Sequence, residues 1–233
     1  MSLLSVIQSA TGLLSLPTPQ AVATSTDRQV IQLMAIANEE GRSLARRHAW
    51  QALTEEASFV TVNANVQTAT PIPADLDRFV PNSFFNRTTR RPLTGPISPR
   101  EWQWIMAQPV YSTVYLAFRE RSGQFLLAPA PPAGQAIAYE YLSTNWAESL
   151  GGVPQAGYLA DSDRAFLDET LIELGVRWRF LKSKGLDYAE DMATYEREVE
   201  QAIARDGGSS MLSLAPQPVD LNRVNLPDGS FGV

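Results

Sequence analysis

Few residues in this chain are equipped for chemistry. Among 233 residues there is no cysteine and one histidine, His48. Thiolate metal sites, disulfides, Cys nucleophiles and His clusters are therefore excluded by counting. His48 closes the run Arg46-Arg47-His48, where positive charge complements a helix C-terminus, so a capping role is expected in place of catalysis. The acidic groups Asp161-Ser162-Asp163, and Asp187 with Glu190 and Asp191, are the remaining cation candidates. The first lacks the twelve-residue calcium loop with its closing Glu, and the second lies where a helix opens and acids are expected anyway. No phosphate-loop, dinucleotide, GxSxG or HExxH pattern occurs. The residues predict no enzyme, no metal and no cofactor.

Contact chemistry is better represented. Arg87, Arg90 and Arg91 form a basic cluster beside Phe84 and Phe85, able to meet a phosphate backbone. Trp102 and Trp104 are two apart, so on a helix they point about 200° from one another; one is expected in a core and the other toward a partner. With Tyr111 they also allow a second reading, an aromatic grip on a carbohydrate or peptide. A hydrolase built on Asp or Glu finds no paired motif.

Charge is uneven. Residues 1–60 carry four Arg against five acids, residues 61–135 seven Arg against four acids, and residues 136–233 eight basic residues against sixteen acids, which add to the net charge of −6. A basic middle and an acidic C-terminal part can steer the chain toward other proteins, including a second copy, whereas the net charge disfavours non-specific DNA binding. Hydrophobic residues at 44% suit a globular chain, and no apolar run approaches the roughly 18 residues of a membrane span. Ala21-Val22-Ala23 has the form of a signal-peptidase site, but no basic residue precedes Arg28, so no signal peptide is expected. The lack of cysteine fits a cytosolic product.

Periodicity supplies the elements that position these groups. Leu3, Val6, Ile7, Ala10 and Leu14 predict a helix over 2–15, and Val30, Leu33, Met34, Ala37, Gly41, Leu44, Ala45 and His48 predict another over 27–48, capped by Ser25 or Thr26. From Ala57 the pattern turns to strand, through Phe59, Val60, Val62, Val66 and Thr70. Asp75-Leu76-Asp77 suggests a helical turn, 79–89 an extended segment, and Ser98-Pro99 with Glu101 the start of a helix over 99–107. Residues 112–119, 124–128 and 135–143 read as a three-stranded antiparallel meander, with Val114, Leu116, Phe118, Ile137, Tyr139 and Tyr141 facing a core. Asp161 or Ser162 is expected to cap a helix lined by Leu167, Leu171, Leu174, Trp178 and Leu181 and closed at Gly185. Tyr188, Met192, Tyr195, Val199 and Ile203 form the seam of a helix over 187–205, ended by left-handed Gly207-Gly208. The last two helices should form an antiparallel hairpin.

Beyond them, residues 209–233 show no helical period yet keep Met211, Leu212, Leu214, Val219, Leu221, Val224, Leu226 and Phe231. Such a segment cannot offset its own ordering cost of about 1–2 kcal/mol per residue, so it reads as an arm that orders on a partner. The fold class is α+β: a helical bundle from 1–56 and 151–208, an antiparallel β insert over 57–150, and the extended arm 209–233.

This order, with Arg46-Arg47-His48-Ala49-Trp50 ending an early helix, Glu55-Glu56-Ala57-Ser58-Phe59 opening the insert, and the late pair containing Leu171 to Lys184 and Tyr188 to Arg205, resembles the head-to-tail adaptor or connector proteins of tailed double-stranded DNA bacteriophages, of the tail tubular protein A type. The resemblance implies a twelve-membered ring of this chain in the virion, beneath the portal protein, with tail or nozzle proteins on the far side. It implies synthesis in the host cytoplasm, only transient non-specific contact with packaged DNA, and no membrane. On this reading the arm meets the portal or a neighbouring subunit, Arg87, Arg90, Arg91, Trp102 and Trp104 meet the tail side or a subunit interface, and acidic helices facing the channel let DNA slide during ejection.

Overall fold

The computed structural model describes residues 2–68, 72–107 and 115–207. Helix α1 spans Leu3–Leu13 and is opened by a capping box in which Ser2 and Ser5 exchange side-chain and backbone hydrogen bonds. Helix α2 spans Arg28–Arg47, and its cap is Asp27, whose carboxylate accepts from the Gln29 N–H at 2.8 Å. Ser25, the expected cap, instead accepts from the Asp27 N–H at 3.2 Å. The Trp50 indole donates to the Leu44 carbonyl at 2.7 Å, and a 3-10 turn at Gln51–Leu53 leads into strand β1, Thr54–Val60. The strand thus begins three residues before Ala57.

Short strands follow: β2 at Val66–Gln67, β3 at Leu76–Phe79, β4 at Phe85–Asn86 and β5 at Arg91–Pro92. Asp75 does not open a helical turn, because its side chain is engaged across the sheet, accepting from the Ser143 hydroxyl at 2.6 Å, while its carbonyl accepts from the Thr144 N–H. Helix α3, Pro99–Ala107, starts as expected: the Ser98 hydroxyl accepts from the Glu101 N–H and the Glu101 carboxylate from the Ser98 N–H. The Ser98 N–H that donates to it, and then the Ser98 side chain, hold the Glu101 carboxyl below its usual range.

Strands β6 (Ala117–Arg121), β7 (Gln124–Ala128) and β8 (Ala136–Ser143) occur near the expected places but not as a meander. β6 pairs with β7, whose other edge takes β2, while β8 joins a separate sheet with β1, β3 and β4, and β5 beyond β4. The Pro-rich link between β7 and β8 lets the chain change sheets, and Asn65 holds Leu127 by two hydrogen bonds of 2.7 and 2.8 Å at the edge that a meander would have given to β8. Residues 112–114 of the expected first strand lie outside the described residues. A third small sheet joins β9 (Ala147–Glu148), β10 (Pro154–Gln155) and β11 (Arg164–Ala165). All named strand pairs are antiparallel.

Helix α4 runs from Glu169–Ser183 and is capped by Asp168, later than Asp161 or Ser162, because β11 occupies the intervening residues. Asp161 and Asp163 do organise a helix start, that of α1. Their carbonyls accept from the Leu4 and Leu3 N–H groups, Asp161 Oδ1 accepts from Val22 and Ala23 at 2.9 and 2.7 Å, and Asp163 Oδ2 from Leu159 and Ala160 at 2.7 Å each. Asp161→Ala strands two donors and is expected to cost about 1–3 kcal/mol. Asp161→Asn, which keeps an acceptor oxygen, should cost less, with urea denaturation as the measurement.

Gly185, at φ +69°, closes α4 with two backbone bonds, Leu186 N–H to Leu181 O and Gly185 N–H to Lys182 O. Helix α5, Ala189–Asp206, packs on α4. Gly207 caps it in right-handed conformation, φ −78°; Gly208, the other half of the expected left-handed stop, lies outside the described residues. Met192 is exposed and leaves the expected seam; Tyr195, Val199 and Ala202 are the buried residues.

The chain is mixed α/β, with five α-helices among the described residues. The largest core joins α1, α2, α4 and α5 to Trp50, Leu53, Leu142, Trp146 and Tyr158. α4 is buried on most sides, since α1, α2 and α5 all pack on it. A second core stacks aromatics inside the sheets, with Phe84 between Phe118 and Tyr139. Alternation along β6 and β7 puts Phe118, Phe125 and Leu127 in that core and Ala117, Leu126 and Ala128 under α3, against Trp102 and Ile105. No described helix is long and apolar enough to cross a membrane.

Candidate functional site

The densest polar chemistry is a buried ion node among the helices. Glu40 lies on the core stripe of α2 between Ala37 and Leu44 and is fully buried. Its Oε2 accepts from Arg179 Nε at 2.5 Å and its Oε1 accepts from the Tyr195 hydroxyl. Arg179 also donates to Glu39 at 2.8 Å and stacks on the Trp178 ring. Burial, then the bond to Glu40, pushes the Tyr195 hydroxyl pKa up, so it stays a donor at neutral pH. The node joins α2, α4 and α5, and its groups are saturated by one another. Gly175 makes room for it, since a Cβ there would sit 2.3 Å from the Glu40 carboxyl carbon. Sequence reasoning missed this node; the available signal was an acid in core register on α2 and a glycine within the apolar face of α4.

A second polar group joins the C-terminal end of α2 to α5. Arg47 pairs with Glu196, which raises the arginine and lowers the glutamate pKa. His48 stands at the C-cap of α2, 3.3 Å from Asp206 and edge-on to Trp50. Asp206 in turn accepts from the Gln51 backbone. Where the sheets meet the helical core, the Tyr141 hydroxyl donates to Glu55 at 3.0 Å beside Asp75 and Ser143. Burial is the first cause of the raised Tyr141 pKa. None of these groups has the form of a reaction centre, and no group of three or more His, Cys, Asp or Glu able to hold a metal occurs among the described residues. Asp187 accepts from the Ala189 N–H at the opening of α5, and Asp191 pairs with Arg177 at 2.6 Å.

The surface carries the rest. Arg87, Arg90 and Arg91 are exposed on the β4–β5 turn next to Phe85, which is 40% exposed. Arg87 reaches back to Glu56 at 2.6 Å. On α3, Trp102 is buried and Trp104 is 62% exposed, with Met106 exposed nearby. Exposed Leu150 and Val153 lie at the β9–β10 connection. Arg42 and Arg46 line a cleft of about 130 Å³ between α2 and the end of β8. The structure does not bring Trp104 and the arginine turn into one site. Tyr111 and the arm residues Met211, Leu212, Leu214, Val219, Leu221, Val224, Leu226 and Phe231 lie outside the described residues.

A surface rich in contact groups meets a decisive likeness: residues 1–220 match the SU10 adaptor protein family. The chain belongs to the SU10 adaptor family. That is a family of phage head-to-tail adaptors, in agreement with the resemblance read from the sequence. No curated protein matches the chain. As an SU10 adaptor it is a structural component of the virion at the head–tail junction, where portal and tail proteins meet. The ion node fixes the mutual placement of three helices, α2, α4 and α5.

Proposed function

We propose that this adaptor is one subunit of a ring, of twelve copies, set between portal and tail, and that it works by contact alone. The helical parts, 1–56 and 151–208, stand side by side around the DNA channel, the β insert 57–150 faces the tail, and the arm 209–233 docks on the portal or a neighbouring subunit. The family match over residues 1–220 carries this reading. Supporting it, α5 carries six acidic residues against two arginines, and an acidic wall repels DNA phosphates and lets the duplex pass during ejection. The arginine turn 87–91 and exposed Trp104, anchored by buried Trp102, are the insert's contact groups, because an exposed tryptophan suits the centre of a protein interface.

The test is deletion of residues 209–233. The truncated protein should keep its far-ultraviolet circular dichroism and denaturation midpoint but fail to join purified portal rings in negative-stain images. Normal joining would exclude the arm from the contact. The carbohydrate- or peptide-binding reading has less support, since Trp102 is 4% exposed and offers no ring face for stacking.

A further inference from the structure

Two helix faces point outward with charges that no described residue of the chain answers. On α2, Ile31, Ala35, Arg42 and Arg46 follow one another at steps of four, seven and four and are all exposed. That spacing places them on one stripe about 22 Å long. Arg42 and Arg46 have no hydrogen-bond or ion partner among the described residues. They overhang the cleft floored by Trp146, Ser143 and Thr144. The two acids beside them are engaged, Asp77 with Arg78 at 3.7 Å and Glu39 with Arg179 at 2.8 Å. On α5, Ala189, Ala193, Glu200 and Ala204 repeat the same four, seven, four spacing and are also exposed. Glu200 has no partner among the described residues.

We propose that these faces are the two halves of one subunit contact, α2 of one copy against α5 of the next, with Glu200 seated between Arg42 and Arg46. The inference rests on the ring reading above and supplies its interface. Both faces are exposed in the same chain, so only a second copy brings them together, and a contact between two different faces is the head-to-tail kind that closes into rings. Direction agrees. Within one chain Glu40 meets Tyr195 and His48 meets Asp206, so α2 and α5 run the same way. Rotation about a ring axis preserves each helix's direction along that axis, so the contact is a parallel pair. In parallel register Ile31 faces Ala189, Ala35 faces Ala193 and Arg42 faces Glu200. The alanines permit the roughly 8–10 Å approach of packed helices, and the charges select register and partner.

The test uses the full chain with purified portal rings. Wild-type protein is expected to assemble, Arg42→Glu/Arg46→Glu to assemble about tenfold less, and Glu200→Arg added to that variant to restore assembly. All three positions are exposed, and circular dichroism checks that the variants fold. Because the chain has no cysteine, an Ala35→Cys/Ala193→Cys chain should give a ladder of disulfide-linked multimers on mild oxidation, and an Ala35→Cys/Arg121→Cys control should not. Assembly of the charge-reversed protein at the wild-type level, with no ladder above the control, overturns this interface and leaves the ring reading in place. Failure of the wild-type protein to form any multimer on the portal overturns the ring reading, and this interface with it.

Discussion

Arg179→Met is expected to lower the unfolding free energy by about 3–5 kcal/mol, a large share of a typical total of about 5–15 kcal/mol. The substitution keeps an apolar stem against Trp178 but removes the only cation, among the described residues, bonded to the fully buried Glu40 carboxylate. Tyr195 remains as a single neutral donor. A lone buried carboxylate is much worse than either an intact ion pair or none, so the double variant Glu40→Leu/Arg179→Met should recover much of the loss. Guanidinium denaturation of the two variants decides it. A loss below about 1 kcal/mol in Arg179→Met would mean that Glu40 is not isolated from solvent, since that is the range of exposed pairs.

The second large effect is Trp146→Ala, with an expected loss of about 3–5 kcal/mol. Trp146 is fully buried, with its ring against Gly41 of α2 and edge-on to Tyr158 at 4.8 Å. Its partner position is equally constrained, because a Cβ at Gly41 would lie 2.3 Å from the ring. Gly41→Ala should therefore cost about 1–3 kcal/mol in the wild type by overpacking and cost little or nothing once Trp146 is alanine. A double-mutant cycle by urea denaturation measures this coupling. Additive losses would show that the ring does not rest on Gly41.

Much of the helical architecture was legible because a buried face writes itself at steps of three and four, as in Leu3, Val6, Ile7 and Ala10 of α1 or Tyr195 and Val199 of α5. The start of α3 was legible because Ser98, Pro99 and Glu101 act locally. Where the deciding partner was remote, sequence was silent. Asp161 or Ser162 is as good a cap as Asp168 by residue type, and only the pairing of β11 with β9 selects Asp168 for α4. β7 takes β2 as its second partner, and a two-residue strand such as β2 is too short to show alternation. Glu40 looks like an ordinary helix acid until Arg179 and Gly175 are placed beside it. Among the contact groups, the separation of Trp102 from Trp104 followed from helix geometry, whereas the attachment of Arg87 to Glu56 depends on a strand far away in the chain.

The paired strands β1 and β8 have a mechanical consequence. They run side by side from Thr54 opposite Leu142 to Val60 opposite Ala136, and they are also the points where the chain leaves and rejoins the helical core. Tension that draws the sheets away from the helices therefore loads both legs of this strut together and in the same direction. Neither leg is peeled from the other, so the joint resists a pull with two covalent chains instead of a row of hydrogen bonds.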